Sequence, residues 1–298
     1  MSNHFIEMIL RHKRIIPVVV ALVGIAAYMI PTNSLALAAI TGSGNVAQTI
    51  SQSNSISATN TGKYGGAFAD NNLQTNTASN SAFVSLVSGS GSGGTTWSGY
   101  VGGGGSIKNS GNVLQTIDQS NSISASNTGD FGTASASGNT QSNDASNTAS
   151  VDISSHGGKH GGSIKDSGNV LQTIDQSNSI SASNSGTSGT ATADHNTQSN
   201  SASNTASVDI SSQGSNNHDN HNGDSKNHDN HNGDKKKSGS IKDSGNVAQS
   251  VSQSNSVSAS NSGDHGTASA SGNTQSNSAS NSADVHISSN SNHKDNKN

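Results

Sequence analysis

From Val113 to Asn127 the chain alternates residue by residue. The odd positions read Val, Gln, Ile, Gln, Asn, Ile, Ala, Asn, and the even positions read Leu, Thr, Asp, Ser, Ser, Ser, Ser. After a glycine-bearing break the alternation resumes. Asn139, Gln141, Asn143, Ala145, Asn147, Ala149, Val151 and Ile153 fall on one side, with Thr140, Ser142, Asp144, Ser146, Thr148, Ser150 and Asp152 between them. A period of two sends alternate side chains to opposite faces of a β-strand. Each arm therefore carries an amide-plus-aliphatic face and a hydroxyl-plus-carboxylate face. A helix fits poorly, because Val113, Ile117 and Ile123 match period two throughout and a helical stripe only in part. Ser, Thr and Asn are also weak helix formers. Between the arms, Thr128-Gly129-Asp130-Phe131-Gly132 supplies the glycines of a turn.

This unit of about 46 residues occurs four times, starting at Ser43-Gly44-Asn45, Ser110-Gly111-Asn112, Ser167-Gly168-Asn169 and Ser244-Gly245-Asn246. Units two to four share a lead-in, Ser106-Ile107-Lys108, Ser163-Ile164-Lys165 and Ser240-Ile241-Lys242. The expected division is residues 39–89, 106–155, 163–212 and 240–289 for the repeats, with spacers 90–105, 156–162 and 213–239 and a polar tail 290–298. Units of constant length joined by spacers of variable length predict an all-β repeat protein, a β-solenoid-like stack of four two-arm units with flexible spacers. The two faces behave differently among the copies. The amide-aliphatic face changes only by Ile-to-Val at Val251 and Val257 and by Leu86 for the final Ile. The other face drifts, with Ser51 and Ser252 at the positions of Asp118 and Asp175. The constant face is the one expected to be packed. No Asn has Ser or Thr two positions later. Strict segregation of the faces accounts for this, and so would selection against glycosylation.

The N-terminus is a separate object. Arg11 to Arg14 are basic, Ile15 to Ile30 are apolar, and Ala36-Leu37-Ala38 follows. This is the layout of a secretory signal helix over residues 1–38, cut after Ala38. The rival is an uncleaved anchor, but the apolar run is short for a span and contains Pro17. The protein is expected to be secreted and cell-surface associated, touching membrane only through this segment if it stays uncleaved. Without it the chain keeps 17 Asp and 11 Lys, net −6 with His neutral. That excludes the basic patch nucleic-acid binding needs. There is no Cys, so no disulfide can staple the fold. Leu, Ile, Val and Phe number 47 of 298, too few for an ordinary globular core. Order must then come from backbone pairing, face packing or metal.

Each unit has 16 inner positions, eight apolar and eight Gln or Asn. A buried amide without a partner costs about 1–3 kcal/mol. In a parallel stack, equivalent rungs lie about 4.8 Å apart and each amide bonds its own copy above and below. The residues expected to form these ladders are Gln115, Gln119, Asn121, Gln141, Asn143, Asn147, Gln172, Gln176, Gln249 and Gln253. Segments such as Asn112-Val113-x-Gln115-x-Ile117-x-Gln119 and Asn139-x-Gln141-x-Asn143-x-Ala145 resemble the curlin-type repeats of extracellular functional amyloid. The units here are about twice as long, and the curlin Gln-to-Gly-to-Asn spacing is not reproduced. The resemblance implies a nucleated fibre on the cell surface or in a biofilm matrix.

Other chemistry is sparse. The outer Ser, Thr and Asp face reads as a solvated surface or as one that recognises a glycan or matrix. Its Thr residues are too few for a regular ice-binding array. The spacer after the third repeat holds His218, His221, His228 and His231 with interleaved Asp and Asn. Imidazole suits a divalent transition metal, yet the tract is not preorganised, so the expectation is weak binding or a solvated linker, with no dedicated cofactor. No phosphate-binding loop, HExxH motif or thiol nucleophile is present, so an enzyme is not expected. The function read from the sequence is a structural repeat protein that self-associates into fibres. Two alternatives stand beside it: a monomeric surface adhesin using its hydroxyl face, and a disordered hydrated polymer.

Overall fold

The computed structural model describes residues 39–89, 105–157, 162–214 and 239–291. Residues 1–38, on which the expected signal segment falls, the greater part of the spacers including all four His of the tract, and the last seven residues lie outside them. The described residues form an all-β, β-solenoid-like stack of four rungs, with no helix among them.

The first rung is β1 (Ala39–Thr41), β2 (Val46–Asn60), β3 (Gly66–Phe68) and β4 (Leu73–Gly89). The second is β5 (Ser106–Lys108), β6 (Val113–Asn127), β7 (Thr133–Ser135) and β8 (Thr140–Gly157). The third is β9 (Ser163–Lys165), β10 (Val170–Asn184), β11 (Thr190–Thr192) and β12 (Thr197–Gly214). The fourth is β13 (Ser240–Lys242), β14 (Val247–Asn261), β15 (Thr267–Ser269) and β16 (Thr274–Ser291). Each rung therefore has four strands. The two long arms read from the alternation are joined by a short strand inside the glycine-bearing break, and the Ser-Ile-Lys lead-in is itself a strand. The second arm also runs to Gly157 and Gly214, two residues past its expected end.

Like pairs only with like, forming four parallel sheets in the rung order one to four. Val46 lies beside Val113, Val113 beside Val170, and Val170 beside Val247, and every later position follows in register. The three steps are 67, 57 and 77 residues, yet the register is identical. All three connections leave at one place, between the end of a second arm and the next lead-in. The rungs thus set the alignment, and the connectors absorb the difference.

The arms suit extended backbone because their buried positions are Val, Ile and Ala among amides, with no Pro to interrupt the ladder. In β6 and β10 the alternation of burial follows the sequence alternation along the whole strand. The corner into the first arm uses left-handed backbone twice, at Asn109 and Gly111 in the second rung. A Cβ on Gly111 would sit 2.9 Å from Ile153 Cδ1, so the corner lies tight against the core. The aliphatic side chains form three columns. One, at the lead-in end, holds Ile107, Val113, Val151 and Ile153 and their equivalents. A second, at the opposite end, holds Ile123, Ala125, Ala134 and Ala136. A small middle column sets Ile117 against Ala145.

Candidate functional site

The chemistry of this molecule is concentrated in the amides between those columns. Gln115 Nε2 donates to Gln48 Oε1 at 2.9 Å, Gln172 to Gln115 at 2.8 Å, and Gln249 to Gln172 at 2.8 Å. The remaining Nε2 hydrogens reach across to the second arm, at Thr148, Thr205 and Ser282 carbonyls. Gln119, Gln176 and Gln253 repeat the arrangement, donating to Gln52, Gln119 and Gln176. In the second arm Gln141 donates to Gln74, Gln198 to Gln141, and Gln275 to Gln198. Gln115, Gln119, Gln141 and Gln172 are wholly buried, and every hydrogen on their amide nitrogens has a partner.

Asparagines run the other way. Asn121 donates to Asn178 and Asn178 to Asn255, both at 3.1 Å. Asn143 donates to Asn200 and Asn147 to Asn204, each at 3.0 Å. Asparagines of the two arms also alternate in one continuous spine, as Asn121 donates to Asn143, Asn143 to Asn178, Asn178 to Asn200 and Asn200 to Asn255. Each second arm thus sits between the first arms of its own rung and the next. Glutamine chains point their N–H groups toward the first rung, whereas these inner asparagine chains point theirs toward the fourth; the corner column Asn112, Asn169 and Asn246 runs the glutamine way. All ten ladder residues named from the sequence take part in these chains.

Several participants were not singled out in the sequence. Ser110 Oγ accepts the backbone N–H of Ser43 and donates to the Lys108 carbonyl, and Ser167 and Ser244 continue this column. Ser155 and Ser212 are buried and donate to the carbonyls of Gly105 and Gly162. Asn127 donates to Asn184 and to the Gly129 carbonyl, locking the turn. A Cβ on Gly129 would collide with the Gly62 carbonyl oxygen of the rung before, so these turns stack backbone on backbone. Their identity as recurring Ser-Gly-Asn and Asn-Thr-Gly triplets was the available signal. One position departs from the pattern. Asn139 and Asn196 start the second arm with Oδ1 accepting a backbone N–H of the rung before, and their buried Nδ2 groups have no partner.

The outer turns carry side-chain columns too. Asp70, Ser137, Asp194 and Ser271 are equivalent positions, so acid and hydroxyl alternate. Ser137 N–H donates to Asp70 at 2.7 Å and Ser271 N–H to Asp194 at 2.6 Å. The Ser271 N–H is the main cause that holds the Asp194 carboxyl below the usual carboxylate range. Partial burial opposes it, and the hydroxyls of Ser269 and Ser271 and the charge near His195 act with it. At the turn between the arms, Tyr64 stacks on Phe131 at 5.6 Å and Thr187 Oγ1 donates to Asp130 at 2.9 Å. Among the described residues no three His, Asp or Glu side chains converge on a common point.

The stack is cut open at its far end. Val208 and Ile210 of β12 are 1% and 0% exposed, whereas Val285 and Ile287, the same columns one rung on, are 41% and 47% exposed. The inner amides Gln275 and Asn277 are exposed with them. The inner-face residues of β16 are the same as those of β12, from Gln275 to Ile287. Among the described residues no further rung lies against the fourth. Comparison with family models, curated proteins and solved structures returns no match.

Proposed function

We propose that this chain is a secreted, non-enzymatic structural protein of the cell surface or extracellular matrix, which assembles into fibres through its terminal rungs. The observation that carries the reading is the exposed core of the fourth rung: Val285, Ile287 and a row of amides face outward where every inner rung buries them. Covering an aliphatic side chain is worth about 1.5–3 kcal/mol when complete, and these two are roughly half exposed. The unpaired backbone edges of β14 and β16 add the usual template for a further strand. The apolar N-terminal segment ending in Ala-Leu-Ala supports export, and a cut after Ala38 would leave Ala39, the first residue of β1, at the chain start. The resemblance to curlin-type repeats agrees with this reading, as do the in-register ladders.

Fibre diffraction from the purified protein tests it. A meridional spacing of about 4.8 Å is expected. A chain that stays monomeric and β-rich at high concentration would overturn the fibre reading. Replacing Gln115, Gln172 and Gln249 together with Lys puts three stacked charges in the core and is expected to abolish assembly. An unchanged fibre yield would remove the amide ladder from the mechanism.

One observation favours adhesion through the outer face as a second reading. Leu114 and Leu171 are stacked neighbours on the outer face of β6 and β10, both exposed among hydroxyl side chains. Retention of a monomer on a glycan or matrix surface, lost in a Leu114→Ser and Leu171→Ser variant, is the result that reading expects.

A further inference from the structure

The offsets that align the four rungs also say what a fifth rung would meet. Equivalent positions run Val46, Val113, Val170 and Val247, so a second copy continuing the series would set its Val46 against Val247. In that register Asp264 faces Lys63 of the second copy and His265 faces its Tyr64. Lys242 meets Thr41, Asp243 meets Gly42, Ser271 meets Asp70, and Asp284 meets Phe83. No two like charges meet. Inside the chain the rule is looser, since Lys108, Lys165 and Lys242 are stacked, as are Asp118 with Asp175 and Asp152 with Asp209. Among the described residues the first rung carries only Lys63 and Asp70 as charges.

Two further facts support continuation in this register. First, the corner columns have a two-rung period. Asp70, Ser137, Asp194 and Ser271 alternate acid with hydroxyl, and Asn71, Gly138, His195 and Gly272 alternate a large side chain with glycine. The Asn71 and His195 side chains lie over the glycines that follow, and all four residues have positive φ. Four is an even number, so Asp70 and Asn71 of a second copy would follow Ser271 and Gly272 with the alternation intact. Three rungs would have brought Asp194 against Asp70. Second, register is already independent of the link between rungs, because steps of 67, 57 and 77 residues give the same alignment. A junction with no link at all demands nothing new of the interface.

We propose that the fourth rung of one copy docks on the first rung of a second copy, head to tail and in the internal register, with the Asp264–Lys63 pair selecting that junction. This rests on the self-assembly reading above, including the cut after Ala38, because Val46, Gln48 and Ile50 of the first rung are buried in the whole chain; it names the partner, polarity and register. The column is within reach: between the second and third rungs Thr187 Oγ1 already touches Asp130, and in the neighbouring column Tyr64 of the first rung stacks on Phe131 of the second. Ladder polarity agrees. The fourth-rung glutamines have donated their N–H groups backward, leaving carbonyl oxygens to accept from the next copy. The fourth-rung Asn277 has accepted from Asn200 and from Asn255, leaving its N–H groups to donate.

The test uses chains that begin at Ala39, as the cut would leave them, and these contain no native Cys. Lys63→Cys and Asp264→Cys chains are mixed under assembly conditions and oxidised. In the proposed register the two positions lie about 5 Å apart between copies, within disulfide range, and three rungs or roughly 14 Å apart within one copy. A disulfide-linked heterodimer is expected, at least tenfold over homodimers from either variant alone. A charge swap completes it. Lys63→Asp and Asp264→Lys are each expected to slow fibre elongation about tenfold at low salt, and the double swap to restore it within about twofold. Fibres of the unmodified chain together with homodimers only, or singles that elongate like the unmodified chain, overturn the junction and leave self-assembly standing. Absence of fibres from the unmodified chain overturns both.

Discussion

At the scale of single residues, what matters is whether an amide is stacked on both sides. Gln172 donates to Gln115 and to Thr205 and accepts from Gln249, so its replacement strands three groups at once. Gln172→Leu is expected to cost about 2–4 kcal/mol in urea unfolding, because each buried group left unpaired costs about 1–3 kcal/mol. Gln249→Leu strands only the Gln172 oxygen and an exposed Ser282 carbonyl, and is expected to cost about 1–2 kcal/mol by the same accounting. Equal losses at the two positions would show that stacking is not what gives the amide its worth. Asp194 makes a pH prediction. Its folded carboxyl titrates below the ordinary range, chiefly through the Ser271 N–H, so the contribution is full above the unfolded value of about 4 and fades as pH falls through the lower folded value. The unfolding midpoint should therefore drop on acidification below about pH 4, and Asp194→Asn should flatten that drop. An unchanged profile in the variant would assign the acid sensitivity elsewhere.

At the scale of elements, the arms, corners and connectors have separable roles. The connectors after the first, second and third rungs differ in length, yet β2, β6, β10 and β14 keep one register. Replacing residues 215–238 with the four-residue stretch 158–161 is therefore expected to leave the β-sheet circular dichroism intact and the unfolding midpoint within a few degrees. Loop closure depends only weakly on length, about 0.6 kcal/mol per doubling. Loss of the β signal would mean that the long connector holds the fourth rung in place. The elements were unevenly legible. Both long arms were readable because sixteen positions alternate without fault. The short strands β3, β7, β11 and β15 were not, because three residues carry no period of their own. They exist because the neighbouring rung offers its backbone at that height. Buried Ser110 and Ser155 were hidden for a similar reason: a serine looks alike whether it faces water or a carbonyl of the next rung.

At the scale of the whole molecule, the ends decide behaviour. Ile287 and Val285 are roughly half exposed, so they contribute about half of what their buried equivalents do to the fold of one copy. Ile287→Lys with Val285→Lys is expected to cost the monomer about 1 kcal/mol each, in line with that partial burial. The same pair is expected to stop fibre growth. The equivalent changes at Val208 and Ile210, buried in the third rung, are expected to prevent folding. Sedimentation beside thermal unfolding separates these outcomes, and fibres of the Val285/Ile287 variant at normal yield would move the interface away from the fourth rung. Assembly through an end, unlike assembly through a flank, consumes one surface and regenerates it on each addition.

By itself the sequence determined the strand period, the identity of the packed face, the number of copies and the need for a neighbour above and below each amide. These are properties of local alternation and of the cost of burying a polar group, and both can be counted along the chain. Only the tertiary structure decided that each rung has four strands, that glutamine and inner asparagine chains run in opposite directions, and that the second arm lies half a step beyond the first. Those follow from how one rung seats on another, and that seating depends on backbone positions separated by 57 to 77 residues. The open fourth rung is the clearest case. Its strands are nearly the sequence of the buried ones, and they differ in exposure because no described rung lies on their far side.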